Sequence, residues 1–254
     1  MSFVAVDGKL EYVDLPAARS ARPGILLLHE GLGSVSMWRD FPQRLAAATG
    51  CRVVAYSRHG FGRSSPRRRP WTPRFVHEEA LEVVPALREA LAIERPVLLG
   101  HSTGASMALV HAGSGRWPVA GVIAMAPLTD VQPSNLESIR HAREVYESTD
   151  WRERLARHHD DVDAVFYGWN DTWLRADFRD WNLRADLAGI RAPIVAILGK
   201  QDEYATVDQV ETLRREAQAV AGFEFLHLDK CGHAPHRDQP EAVLAAAERL
   251  IDAV

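Results

Sequence analysis

The stretch Val97-Leu98-Leu99-Gly100-His101-Ser102-Thr103-Gly104-Ala105-Ser106-Met107-Ala108-Leu109 is a short apolar run that breaks at a glycine-flanked serine and resumes as small, helix-compatible residues. The run suits a buried strand and the residues after the break suit a helix. The corner between them reads G-x-S-x-G through Gly100, Ser102 and Gly104. Both glycines are needed there, because a sharp strand-to-helix turn holds the serine in a strained backbone while the two elements approach closely. Ser102 then stands alone at the corner with its hydroxyl away from the sheet. The Thr103 amide, at the start of the helix, faces the place where an oxyanion would form. Glycine and serine are common, so the pattern gains its weight from context: a strand before it, a helix after it, and an acid and a histidine later in the order Ser, Asp, His.

Working outward, Ile25-Leu26-Leu27-Leu28 is an uninterrupted apolar run of the kind found in a central strand covered on both faces. It empties into the glycine-rich loop His29-Glu30-Gly31-Leu32-Gly33-Ser34, which is suited to presenting backbone amides. Phe3–Val6 and Leu10–Val13 flank Asp7-Gly8 and read as a hairpin, since Asp-Gly supplies the positive φ angles of a tight turn. Arg52–Tyr56, Val119–Met125, Ile194–Leu198 and Phe223–Leu228 read as further strands. Helices are expected over 36–49, divided at Pro42, after Thr72-Pro73 with a kink at Pro85, near 207–219, and from Pro240 on. From about Asp130 to Leu187 the chain is rich in charge and tryptophan and has helix-like stretches without a strand-like run. Strands alternating with helices predict an α/β fold with a mainly parallel sheet and helices on both faces, whose ligands bind beyond the carboxyl ends of the strands.

The chain has 254 residues, of which 46% are hydrophobic, enough for one sizeable globular unit with an insertion. A formal net charge of -4 leaves no electrostatic footprint for nucleic acid or an anionic membrane. Arg67-Arg68-Arg69, between Pro66 and Pro70, reads as a solvated loop. No apolar stretch approaches the ~20 residues of a membrane span, and the first residues lack the pattern of a signal peptide. Cys51 and Cys231 make neither a disulfide framework nor a metal-ligand spacing, so a reducing cytoplasm and the absence of metal and cofactor are the expectation. The oligomeric state stays open.

His29-Glu30-Gly31-Leu32-Gly33, Gly60-Phe61-Gly62-Arg63-Ser64, Gly100-His101-Ser102-Thr103-Gly104, Gly199-Lys200-Gln201-Asp202 and Gly232-His233 together resemble the α/β-hydrolase family over essentially the whole chain. The resemblance implies a mostly parallel eight-stranded sheet and a helical cap at 130–187, inserted into a core formed by 1–129 and 188–254. It implies Ser102 as nucleophile, His233 as general base and Asp202 as its orienting acid, with Asp130 as the rival acid and His227 and His236 as rival histidines. The oxyanion hole would use the Thr103 and Gly31 amides. Glu30, where the family usually has glycine, is expected to turn outward and to be tied to neighbouring polar groups, with a place in the substrate pocket, shaping it electrostatically, as the alternative. The loop Ser57-Arg58-His59-Gly60 also departs from the family pattern, lacking its usual Asp. Of the aromatic residues in the insertion, Trp169 and Trp173 are candidates for the substrate pocket, which would favour an apolar or aromatic acyl group. The implied activity is hydrolysis of a small-molecule ester or thioester. Carbon-carbon bond hydrolysis or a lyase reaction of the menaquinone-pathway type on the same triad is the alternative, and a non-catalytic hydrolase-like binding protein is the alternative of a different class.

Overall fold

A computed structural model describes residues 2–254. Ser2–Ala5 (β1) and Lys9–Leu15 (β2) form an antiparallel hairpin with Val4 opposite Leu10. Its turn passes through Asp7 at φ 44° and Gly8 at φ 123°, the left-handed conformations for which the Asp-Gly pair was read. β2 pairs antiparallel with Val53–Tyr56 (β4), which pairs parallel with Ile25–Leu28 (β3). Val97–His101 (β5), Gly121–Met125 (β6), Ile194–Gly199 (β7) and Phe223–Leu228 (β8) extend the sheet in parallel from β3. The order across the eight strands is β1-β2-β4-β3-β5-β6-β7-β8, so β3 and β5 lie at the centre.

The helices are α1 (Phe41–Thr49), α2 (Phe75–Glu78), α3 (Val84–Ala90), α4 (Thr103–Gly113), α5 (Pro133–Ser148), α6 (Trp151–Ala156), α7 (Val162–Leu174), α8 (Arg184–Leu187), α9 (Val207–Glu216), α10 (Pro235–Asp238) and α11 (Pro240–Ala253). Successive residues of a strand point to opposite faces. Ile25, Leu27, Val97 and Leu99 therefore meet α1 and α11, while Leu26, Leu28 and Leu98 meet α2 through α4, with α9 on the same side. β3 and β5 are buried throughout, which is why their sequences are apolar at every position rather than alternating.

Pro42 lies in the first turn of α1, behind a separate 3₁₀ turn over Val35–Trp38, so the expected division falls just ahead of the proline. The expected kink at Pro85 is a π turn over Glu79–Val83 that joins α2 to α3. A proline has no N–H for the carbonyl four residues back, and the widened turn takes up that mismatch. Of the basic run, Arg68 and Arg69 are exposed as expected, Arg69 pairing with Glu82 at 2.5 Å at the surface, whereas Arg67 is tucked in, stacked on Trp71 and paired with Glu78 at 2.6 Å.

Between β6 and β7 the chain runs through α5, α6, α7 and α8, and Asp130 and Asn182 form an isolated antiparallel bridge that brings the two ends of this segment together. α7 starts at a capped end, where the Asp161 carboxylate accepts the Ala164 N–H at 3.0 Å. Among the described residues no helix is long and apolar enough to cross a membrane.

Candidate active site

Ser102 joins β5 to α4 with φ 52° and ψ -119°, a conformation that costs a non-glycine residue about 1–3 kcal/mol. The surroundings hold it there. Its N–H donates to the Met125 carbonyl at 2.8 Å, and the Ser106 N–H donates to the Ser102 carbonyl at 3.1 Å. A Cβ on Gly104 would stand 2.1 Å from the Leu28 carbonyl oxygen, and one on Gly100 would stand 2.3 Å from the Gly104 carbonyl oxygen. The glycines of the motif are therefore required by contact of helix and strands. Thr103, the first residue of α4, has no carbonyl of its own helix to receive its N–H.

Asp202 follows the end of β7 and His233 the end of β8, so two adjacent parallel strands deliver both to one end of the sheet. His233 Nδ1 lies 2.8 Å from Asp202 Oδ1 and 3.0 Å from Oδ2. The Asp202 side chain is 1% exposed, and its Oδ1 also accepts the Tyr204 and Ala205 N–H groups at 2.8 and 2.9 Å. A carboxylate at Nδ1 keeps the proton on that nitrogen and leaves Nε2 as the acceptor. Burial pushes the His233 imidazole down, but the charge and hydrogen bond of Asp202, with the more distant Glu203 and Glu30, outweigh it and hold the group above its ordinary value.

The rivals lie elsewhere. Asp130 bridges Asn182 and its carbonyl accepts Gln209 Nε2 at 3.0 Å. His227 is exposed on β8. His236 is buried between Trp38 and His101 and is held down to about 3, first by burial and then by the Arg237 charge. His101 serves as a brace: its Nε2 donates to the His233 carbonyl at 2.6 Å, and burial, reinforced by the charges of His233 and His236, keeps it well below the usual imidazole range.

The loop after β3 is tied from several sides. The buried Arg58 guanidinium donates to the carbonyls of His29 at 2.6 Å and Glu30 at 2.9 Å. His29 Nε2 accepts the Arg58 N–H, which leaves its Nδ1 to donate to the Glu30 carbonyl at 2.8 Å. Glu30 does not turn outward: the residue lines the cavity with Ser102, and its carboxylate folds back onto its own loop, tied to a polar neighbour as expected by accepting the Leu32 N–H at 2.5 Å and lying beside Gly33. Burial raises its pKa, and the Leu32 amide together with the Arg58 charge offsets part of that rise. From the far segment, His159 Nε2 donates to the Leu32 carbonyl at 2.8 Å, while its Nδ1 accepts the Gly62 N–H at 2.9 Å.

Ser102, His233, Glu30 and Gly31 share a cavity of about 310 Å³. Trp169 and Trp173 line it too, with Trp151, Leu155 and Ile139 adding apolar surface and Tyr204 lying 4.8 Å, ring to ring, from His233. Phe166 and Tyr167, their neighbours in sequence, pack instead around Tyr146, with Phe166 stacked on it at 3.7 Å. Sequence reading missed Trp151, Tyr204 and Arg237 on the cavity wall and the anchoring by His159 and Arg58. The only signal for His159 was a polar cluster, His158-His159-Asp160-Asp161, just before a helix start. No periodicity marks a side chain that reaches across to a loop more than a hundred residues away.

The sequence model of the alpha/beta hydrolase family matches residues 25–247. The chain is 27% identical over 147 residues to the proline iminopeptidase of Lactobacillus helveticus, which is 58% of this chain and 44% of that one. It is 24% identical over 245 residues to the esterase EstD of Thermotoga maritima, covering 91% of this chain and 58% of that one. The chain thus spans about half the length of these curated relatives. Among solved structures, the enol-lactonase of Burkholderia xenovorans superposes with a TM-score of 0.75 at 23% identity, covering 99% of this chain and 100% of that one, a likeness of fold.

Proposed function

Because the chain belongs to the alpha/beta hydrolase family, we propose that it is a serine hydrolase that cleaves a small carboxylic ester or thioester through an acyl-enzyme. The observation that carries this reading is the His233 Nδ1 bond to Asp202 on the wall of the cavity that also contains Ser102. Ser102 Oγ attacks the carbonyl carbon as His233 Nε2 takes its proton, and the carbonyl electron pair moves onto oxygen beside the Gly31 and Thr103 amides. The oxyanion collapses, the bond to the alcohol or thiol breaks, and the leaving group receives the proton from His233. Water then repeats the sequence against the acyl-enzyme and releases the carboxylic acid. Asp202 keeps the imidazole in the productive tautomer and stabilises its cationic form.

In this reading residues 130–187 act as a cap over a core made of 1–129 and 188–254, and the indoles of Trp169 and Trp173 favour an apolar or aromatic acyl group. Two free cysteines suit a reducing cytoplasm. A fluorophosphonate should label the protein at Ser102, and Ser102→Ala should abolish labelling and lower ester turnover by at least ~10³-fold with the fold intact. A wild-type protein that resists the reagent, or a variant that keeps its turnover, would rule out a serine nucleophile.

A further inference from the structure

Helix α7 lays Trp169 on the oxyanion loop. A Cβ built on Gly31 would stand 2.4 Å from Trp169 Nε1 and 2.5 Å from its Cδ1, so the pyrrole edge of the indole rests directly on the Gly31 backbone. Gly31 does not have a positive φ. The position therefore needs glycine because the indole comes so close, and any side chain there would push the ring away.

An indole N–H can only donate, and a buried one ordinarily finds an acceptor. Trp169 is 8% exposed, and its N–H has no acceptor among the described residues. The N–H groups of Trp38, Trp173 and Trp181 are also unpartnered, but those are sealed within protein. That of Trp169 is not among the sealed ones, and the residue lines the cavity that holds Ser102 and His233, with its Nε1 edge against Gly31 of the same wall.

The donor is also held in place. His159, just ahead of α7, grips the Leu32 carbonyl and the Gly62 N–H, and the Asp160 N–H adds a bond to the Gly62 carbonyl at 3.1 Å. Behind Trp169 the helix backbone is seated on Trp71, whose Nε1 would lie 2.4 Å from a Cβ on Gly168. Helix and oxyanion loop are thus fixed to each other on either side of the indole.

We propose that the Trp169 indole N–H is a third donor to the oxyanion, beside the Gly31 and Thr103 amides, so that the hole is completed by a side chain from the 130–187 segment. The proposal rests on the serine-hydrolase reading above. As the carbonyl carbon becomes tetrahedral its oxygen gains charge, and a fixed donor in a site shielded from water stabilises that charge more than the neutral ground state.

Trp169→Phe keeps an aromatic slab and removes the donor, and Trp169→His returns an N–H. With a neutral ester, Trp169→Phe should lower kcat about 10²-fold with KM changed by less than about threefold, and Trp169→His should recover part of the loss. A trifluoromethyl ketone that forms a hemiketal with Ser102 should lose affinity in Trp169→Phe by the same factor as kcat/KM. In the wild-type protein, the indole proton assigned by its contact with the Gly31 α-protons should move downfield when that ketone binds, a readout independent of whether any variant folds. An unchanged kcat with raised KM, or an unmoved indole resonance, would reduce Trp169 to apolar lining and overturn the proposal. Turnover by Ser102→Ala is the separate result that would defeat the serine-hydrolase reading itself.

Discussion

Replacing Asp202 by Asn keeps the shape of the side chain but sets an amide N–H against His233 Nδ1, which favours the tautomer with its proton on the wrong nitrogen. The expected loss in kcat is up to ~10⁴-fold, against little change for Asp130→Asn, measured on one ester. Reversed losses would move the acid to the end of β6. Because His233 is held above the ordinary imidazole value of about 6.5 and, as the proposed base, would accept the serine proton only in its neutral form, kcat/KM should rise with pH and reach half its plateau above that value. A profile flat from pH 5 to 8 would contradict a histidine base. At this scale the sequence is legible wherever geometry forces a residue type: Gly100 and Gly104 touch backbone, so their identity advertises the corner at Ser102. The choice of Asp202 over Asp130 came from the family resemblance and not from spacing alone, since it depends on which strand end faces the Gly232-His233 loop. Nor was the direction of Glu30, which is set by one hydrogen bond to its own loop.

The loop after β3 shows what an element adds to its residues. Its carbonyls are taken by Arg58, His29 and His159, and the Leu32 N–H is taken by Glu30, so the peptide planes on both sides of Gly31 have little freedom to rotate. Glu30→Gln retains an oxygen that can accept the Leu32 N–H, and kcat/KM for a neutral ester should change by less than about tenfold. A larger loss, or a gain confined to anionic esters, would show the charge acting on substrate instead of on the loop. Strands and long helices were readable because their periodicity reports burial. The short α10 behind His233 and the π turn before Pro85 were not, because four or five residues carry no period and a one-residue widening of a helix leaves its apolar stripe nearly unchanged.

Across the whole molecule, His29, His101, His111, His158, His159 and His236 are all held below their ordinary value, chiefly by burial, with His111 and His159 near about 4. For each of these the unfolded chain takes up its proton first, so its contribution to stability is lost as pH falls from about 6.5 toward the lowered folded value. His233 has the opposite sign, since its raised value favours the folded state below the unfolded pKa and that contribution fades as pH rises through the folded one. Five well-buried imidazoles, with the partly exposed His158 adding little, against His233 and the raised Glu30 carboxyl predict that urea unfolding at pH 5 gives a smaller free energy than at pH 7, with a slope of at most about 1.4 kcal/mol per pH unit for each buried histidine titrating in that window. A stability that held steady or grew on acidification would show that these imidazoles are not kept neutral by the fold. The architecture was readable at this scale from the alternation of apolar runs and helical stretches, whereas the contacts between the 130–187 segment and the loops beneath it were not, because they join residues far apart in the chain through single side chains. The bridge between Asp130 and Asn182 has one more consequence. Two neighbouring parallel strands such as β6 and β7 need a crossover of only about a dozen residues, and this chain is far longer there. With its two ends clasped together, the surplus is a stopper in a bottle neck that also grips the rim, through His159 on Leu32 and Gly62. If it acts as the proposed cap, transplanting 131–181 from a relative with a different acyl preference should carry that preference, read as the ratio of kcat/KM on two esters, only when the transplant keeps a histidine at 159.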